Sequence, residues 1–294
     1  MRRRLDAVLL LDKPVGLSSA AALQVAKRMF EAAKAGHAGT LDPLASGLLP
    51  LLFGEATKFA QFALGSDKEY LAQIRFGVTT ETGDAEGKVL ERRAVEVDDA
   101  RLACALERFR GVIEQVPPMY SALKRGGRPL YSLARTGQSV ARAPRQVTVY
   151  ELELLERGED LVRVRLRCSK GTYVRQLASD LGAELGTGAH LAALRRTAVA
   201  GFRLDRAVTL GELQAMSAHA RELCLLPADS LLADLPRLDL VAGQAERFLN
   251  GQALELPAPG DGRCRVYRQA GALLGIGERG PGGALRPVRL LARG

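Results

Sequence analysis

Four cysteines and three histidines are all that this chain offers a metal ion, and neither set is spaced to hold one. Cys104, Cys168, Cys224 and Cys264 lie far apart with no C-x-x-C pair, and His37, His190 and His219 form no cluster with them. That spacing argues against a zinc-type site. It argues equally against the disulfide framework of a secreted mini-protein, which a chain this rich in core residues does not need. No apolar run comes near the roughly 20 residues that a membrane span requires. Met1-Arg2-Arg3-Arg4-Leu5-Asp6 leads into a short strand-like segment and lacks the apolar core and small-residue cleavage site of a signal peptide. Internal repeats and low-complexity tracts are also missing. The expectation is a cytoplasmic protein with no metal and no membrane partner.

What is present is enough for a sizeable core and a second small domain: 294 residues, 47% hydrophobic and 26% charged. Formal net charge is +9, from 42 Lys+Arg against 33 Asp+Glu. An excess of that size favours a polyanionic partner, because phosphate contacts dominate nonspecific nucleic-acid affinity. Its distribution points the same way. Between Tyr120 and Tyr150 stand Lys124, Arg125, Arg128, Arg135, Arg142 and Arg145 with no acidic residue, interleaved with Gly126, Gly127 and Tyr131. Such a stretch reads as a phosphate-tracking segment; a merely solvated basic loop is the plain alternative.

Patterning gives an α/β mixture. Ala7 to Leu11 is a short apolar strand, and Ser19 opens a helix to about Phe30. Leu48–Phe53 reads as a strand and Thr57–Leu64 as a helix. Tyr70, Ala72, Ile74 and Phe76 alternate with polar neighbours, as a half-buried strand does. Asp98 or Asp99 caps a helix ending near Gly111. Val147–Leu155 and Leu161–Cys168 read as paired strands across a Gly-Glu-Asp turn, and Thr172 as the cap of a helix to about Leu185. Hairpin-linked strands between irregular helices imply an α+β fold with a mixed, largely antiparallel sheet. Near Leu235 the character changes to Pro-rich and Gly-rich turns. A helix over Ala242–Leu249 is followed by strand candidates at Ala253–Leu256, Cys264–Tyr267, Leu273–Ile276 and Val288–Leu291. Two domains are expected, 1–234 and 235–294.

The most informative stretch runs from Gly36 to Pro50, GHAGTLDPLASGLLP. A lone acidic residue, Asp42, sits in a Gly- and Pro-rich turn with His37 five positions before it and an apolar run after it. Turns of this kind on a rigid scaffold are where positioned polar groups usually act, although Asp before Pro also simply starts turns. The stretch resembles the catalytic-aspartate motif of the TruB family of tRNA pseudouridine synthases. Five further segments resemble that family in the same order: DKPVGLSS at 12–19, GEATKF at 54–59, DKEY at 67–70, PMYSALK at 118–124 and CSKGTYVR at 168–175. The resemblance covers residues 6 to 230 and, more loosely, the remainder.

The resemblance implies the pseudouridine synthase fold, a curved sheet with the cleft across its middle, plus a C-terminal PUA-like RNA-binding β-barrel. It also implies the activity: uridine 55 in the T loop of tRNA becomes pseudouridine. Substrate and product are isomers, so the chemistry calls for no cofactor. It needs a carboxylate near the sugar carbon and an acceptor for the proton on C5.

By position in the motifs, Asp42 is the catalytic aspartate and Arg175 the arginine that pairs with it. Tyr70 stacks on the extruded base and offers its hydroxyl to the C5 proton. Tyr173 packs against the base or supports Asp42. Leu194, placed here on a helical face, closes the pocket. Lys13 and Pro14 line or support the cleft, and Lys58 is grouped with the RNA-binding residues. His37 supplies a flat ring for stacking where the base is extruded. Lys124, Arg125 and Arg128 grip the RNA backbone. A stand-alone monomer acting on tRNA, with no obligate protein partner, is expected. A guide-RNA-dependent catalytic subunit and a non-catalytic RNA-folding chaperone are the alternatives.

Overall fold

The computed structural model describes residues 2–292 except 122, 135, 139 and 257–259, and describes 124, 125 and 129 in backbone only. Arg135 and the side chains of Lys124 and Arg125, singled out above, therefore lie outside the described residues.

The principal strands are β1 (Ala7–Lys13), β2 (Ala45–Phe53), β3 (Lys68–Phe76), β4 (Gly111–Gln115), β5 (Arg145–Arg157), β6 (Leu161–Cys168), β7 (Ala189–Val199) and β8 (Val208–Thr209). Hydrogen bonding arranges them in the order β8-β1-β2-β7-β3-β6-β5-β4, with shorter strands on the flanks. All pairs on this path are antiparallel except β1–β8 and β2–β7. The sheet is thus mixed and largely antiparallel, and the protein is α+β.

Burial explains the strand sequences. β1 and β2 read as unbroken apolar runs because both of their faces are covered. Leu9, Leu11, Leu49, Leu51 and Phe53 enter one core; Val8, Leu10, Leu48 and Leu52 enter a second on the opposite face. Towards β3 and β6 only one face stays covered, and alternation appears. Tyr70, Ala72, Ile74 and Phe76 point inward from β3, as do Val162, Val164, Leu166 and Cys168 from β6. The outward arginines of β6 meet glutamates of β5: Arg163–Glu156 at 2.5 Å, Arg165–Glu153 at 2.7 Å and Arg167–Glu151 at 2.8 Å. Exposed pairs of this kind add little stability each, but they cancel the charge of that face.

The first core is roofed by helices α1 (Ser19–Met29), α2 (Asp99–Arg108) and α3 (Val174–Glu184). Ser18 caps α1 and Asp98 caps α2 through side-chain acceptors. The expected cap of α3 is different: Thr172 donates to the Ser169 carbonyl, and Tyr173 is the cap residue without a side-chain bond. Gln115 holds Tyr173 instead, accepting from its N–H at 2.7 Å and donating to its carbonyl at 3.1 Å. The expected helix over 57–64 divides into a 3-10 turn, Gly54–Phe59, and a short helix, Ala60–Gly65.

One expectation is overturned. Leu194 does not sit on a helical face: residues 189–199 form a central strand, β7, held by β3 on one side and β2 on the other. Small residues such as Ala192 and Ala193 gave no alternation to betray it.

The C-terminal region forms a five-strand sheet, including Arg237–Leu240, Gly262–Arg268, Leu273–Arg279 and Ala284–Leu290, packed with the helix Ala242–Leu249. Its Ile276 joins the second core of the large sheet. Among the described residues no helix is long and apolar enough to cross a membrane.

Gly47 shows how tightly the centre is built. It lies between Lys13 of β1 and Arg196 of β7, with φ +101°. A Cβ there would stand 2.3 Å from the Arg196 carbonyl oxygen. Gly47→Ala should therefore cost about 2–4 kcal/mol, combining backbone strain with overpacking. A thermal melt within a degree of the parent would overturn this account of the strand junction.

Candidate active site

The motif residues converge on one cavity of about 330 Å³. Its lining comes from five places: the turn Gly39–Asp42, Leu64 of the short helix before β3, Lys68 and Tyr70 of β3, the segment from Ser169 into α3, and Leu194 with Arg196 of β7. Ser121, at the root of the basic segment, completes the rim. Local backbone chemistry aims each group. Gly39 takes φ +94°, letting the turn fold back, and Ser19 pins that turn by accepting from the Leu41 N–H at 2.8 Å and donating to the Leu41 carbonyl at 2.9 Å.

Asp42 and Arg175 form the central pair. Arg175 Nε lies 3.0 Å from Asp42 Oδ2. The same guanidinium donates to the Thr82 carbonyl at 3.0 Å and the Tyr120 carbonyl at 2.7 Å, and stands 3.5 Å from Asp84 Oδ2. Arg175 is buried although it occupies the first turn of a helix, where the dipole disfavours a cation. The two carboxylates opposite explain it. Asp42 is 43% exposed, but into the cavity rather than to open solvent. Desolvation accordingly pushes its carboxyl above the ordinary value, with Arg175 pulling back, Asp84 pushing further and Lys13 pulling weakly.

Tyr70 is buried, and burial raises its phenol. Tyr173 lines the same cavity, half-buried, its phenol also raised chiefly by burial. Leu194 lines the cavity from its strand. These five residues, Asp42, Arg175, Tyr70, Tyr173 and Leu194, are brought together.

The other expected residues are placed elsewhere. Lys13 is fully buried and does not line the cavity; its Nζ donates to the Pro14 and Leu17 carbonyls at 2.7 and 2.6 Å, and desolvation lowers it to about 8. Its part is to hold the 14–17 loop and lend positive charge near Asp42. Lys58 pairs with Glu55 at 2.6 Å and donates to the Leu290 carbonyl at 2.8 Å, so it ties the C-terminal sheet to the large one. His37 stands on a short strand, Ala35–His37, beside β2, outside the cavity lining, and burial followed by Arg196 lowers its imidazole. Arg128 is exposed on a small hairpin, Lys124–Arg125 with Arg128–Pro129. The last residues of the basic stretch, from Arg145, belong to β5.

Sequence reasoning missed Asp84, Lys68, Gln115 and Arg196. Asp84 is buried in a turn of its own making, accepting from Thr82 Oγ1 at 2.5 Å and the Glu86 N–H at 3.1 Å. Lys68 donates to the Ala63, Leu64 and Ser66 carbonyls, and desolvation lowers it to about 8. Arg196 shared a face with Leu194 by strand periodicity, a signal hidden by the helical reading.

The pairing has a measurable consequence. Burial holds the Asp42 carboxyl above the ordinary carboxylate value, and loss of the opposing cation in Arg175→Gln should move it higher still. The charged form then exists only at higher pH. Carboxyl carbon NMR follows this directly; an unchanged or lower midpoint in the Gln variant would show that the guanidinium does not hold the charge.

Comparison with known proteins accords with this geometry. The family model described as TruB family pseudouridylate synthase (N terminal domain) matches residues 27–174. Two more, tRNA pseudouridylate synthase B C-terminal domain and Pseudouridine synthase II TruB, C-terminal, match 175–233 and 236–291. A protein of Dechloromonas aromatica (strain RCB), named tRNA pseudouridine synthase B, is 53% identical over 289 residues, covering 98% of this chain and 96% of that one. One of the same name from Burkholderia mallei (strain NCTC 10247) is 55% identical over 300 residues, covering 100% and 99%. Among solved structures, a Cbf5-Nop10-Gar1 complex matches with a TM-score of 0.73 at 24% identity, over 97% of this chain and 84% of that one. That likeness bears on the fold alone, which is the pseudouridine synthase fold with a PUA-like C-terminal sheet. On the extent of these matches, this chain belongs to the TruB family of pseudouridylate synthases.

Proposed function

We propose that the chain isomerises uridine 55 in the T loop of tRNA to pseudouridine, as a stand-alone cytoplasmic monomer. The observation that carries this reading is the Asp42–Arg175 pair in the lining of a cavity of about 330 Å³ that Tyr70 also lines. The name shared by relatives that span the whole chain supports tRNA as the substrate.

In this reading the uridine leaves its stack and enters the cavity. The N1–C1′ bond breaks, and Asp42 meets the electron-poor C1′, as a nucleophile or as the base for a 2′ proton. The freed uracil turns, C5 bonds to C1′, and the C5 proton passes to a base, for which Tyr70 is placed. N1 takes up a proton, so the base gains one hydrogen for the one it loses. Arg175 keeps Asp42 ionised and oriented in a site whose desolvation opposes ionisation. Tyr173 and Leu194 enclose the base. Arg128, with Lys124 and Arg125, tracks the RNA backbone.

Incubation of the purified protein with an unmodified tRNA transcript, followed by site-resolved mapping, should place pseudouridine at position 55 without added RNA or protein. Modification elsewhere, or only with a guide RNA, would overturn the assignment. Asp42→Asn should abolish turnover while leaving tRNA affinity within about a few fold, or raising it, since a charge facing a polyanion is removed. Steady turnover by the pure Asn variant would remove Asp42 from the chemistry.

Neutralising Lys124, Arg125 and Arg128 together should flatten the salt dependence of tRNA binding and change single-turnover chemistry at saturating RNA much less. An unaltered salt slope would make the hairpin a solvated loop.

A further inference from the structure

Arg196 is among the largest fully buried side chains of the protein, 1% exposed. The β7–β3 ladder shifts register immediately after it, between Arg196 and Ala198, and a bulge of this kind re-aims the side chains beside it. Its guanidinium donates from Nε to the Leu48 carbonyl at 2.7 Å and from Nη2 to the Gly39 carbonyl at 3.0 Å. It is the cross-strand register partner of Tyr70, shares the cavity lining with it, and its charge acts on the Tyr70 hydroxyl. Among the described residues no carboxylate forms an ion pair with it, whereas its neighbour Arg195 pairs with Asp12 at 2.6 Å. A buried cation without an anion is costly. Two carbonyls could be joined by a neutral donor, so stapling the strands does not explain the charge.

The charge faces the phenol. A guanidinium only donates, so the Tyr70 oxygen can only accept from it, and the phenol's own proton must go elsewhere. Three titratable or charged groups bear on the phenol: Arg196 from β7, Cys168 from β6 and Asp42 from the turn. The Cys168 thiol is itself pushed up to about 11 by burial and stays neutral. Asp42 opposes a second negative charge. Arg196 alone favours one.

We propose that Arg196 is a positioning residue for proton transfer: it orients the Tyr70 hydroxyl towards the base and holds the charge of the phenolate that receives the C5 proton. This rests on the reading that Tyr70 accepts that proton. The phenol first releases its proton to solvent. The C5–H bond then breaks, its electron pair returning to the ring and its proton passing to the phenolate oxygen, while N1 takes a proton from solvent. Tyr70 ends the cycle as it began. Lys68 lines the same cavity but spends its donors on three carbonyls.

The test is the pH dependence of single-turnover pseudouridine formation at saturating tRNA. The parent, Tyr70→Phe, Arg196→Lys, Arg196→Gln and the Tyr70→Phe/Arg196→Gln double variant are compared. Arg196→Gln should move the rising limb to higher pH by about one unit or more, a loss of about tenfold at fixed pH below the limb. Arg196→Lys, which keeps the charge, should leave the limb near its parental position. The Gln change should add nothing to Tyr70→Phe, because both act through one hydroxyl. Should the Gln variant not fold, Arg196→Met fills the space without burying a charge and carries the same expectation. An unshifted limb in the uncharged variant, or an equal loss in the Tyr70→Phe background, overturns the inference alone. Near-normal rates for Tyr70→Phe overturn the underlying reading of Tyr70 and the inference with it.

Discussion

The Arg175 guanidinium is the joint on which the site depends. Three separate stretches of chain present oxygen to it: the Asp42 turn, the segment with Thr82 and Asp84, and Tyr120 at the root of the basic segment. A buried guanidinium must find acceptors for all its donors, and a buried carboxylate must find a cation or become neutral. Each loop is therefore fixed by the others, and removing any one leaves a charged group unmet. That is a stronger constraint than packing, because apolar contacts tolerate small shifts and a shared guanidinium does not.

Much of the scaffold was legible because its causes are local. The unbroken apolar runs of β1 and β2 follow from two covered faces, the alternation of β3 and β6 from one, and the caps Ser18 and Asp98 from side chains that accept backbone N–H groups. The helix over Ala242–Leu249 follows from its own amphipathic pattern. Residues 189–199 escaped because neighbours on both sides, rather than the segment's own pattern, make them a strand. Thr172 is not the cap because its hydroxyl is turned to the Ser169 carbonyl, and Gln115, 58 residues from Tyr173, holds the helix start there. In the site, a motif could point to Asp42, Tyr70 and Arg175. Asp84 and Arg196 become legible only when long-range pairing brings one to Arg175 and the other to the cavity lining. Lys58 shows the converse: a motif lysine whose side chain is spent at the junction between sheets.

The distribution of charge follows the same logic of cancellation and exposure. On the β5–β6 face every outward arginine of β6 has a glutamate partner, so that face presents little net field. The exposed hairpin with Arg128 carries no acidic residue between Tyr120 and Tyr150. An overall excess of +9 is thus concentrated by what is neutralised elsewhere. The C-terminal sheet is held against the large one by Ile276 in a shared core, by Tyr267 hydrogen-bonded to Asp229, and by Lys58 to the Leu290 carbonyl.

Inside the cavity the balance runs the other way. Desolvation raises Asp42 and the two tyrosines and lowers Lys68 and Arg196, as it does Lys13 just outside the lining. A site left to desolvation alone would become neutral, and a neutral site could neither meet an electron-poor sugar carbon nor accept a proton from carbon. Fixed cations prevent this at two points. Arg175 opposes desolvation at Asp42, and Arg196 opposes it at Tyr70. Both are arginines, whose guanidinium starts from a far higher ordinary value than a lysine's ammonium, which burial brings down to about 8 at Lys13 and Lys68. Preorganised charge in a dry site does its stabilising without reorganisation when the substrate's own charge develops. The carboxylate and the phenol thus line one cavity, each with an arginine's charge set against its desolvation.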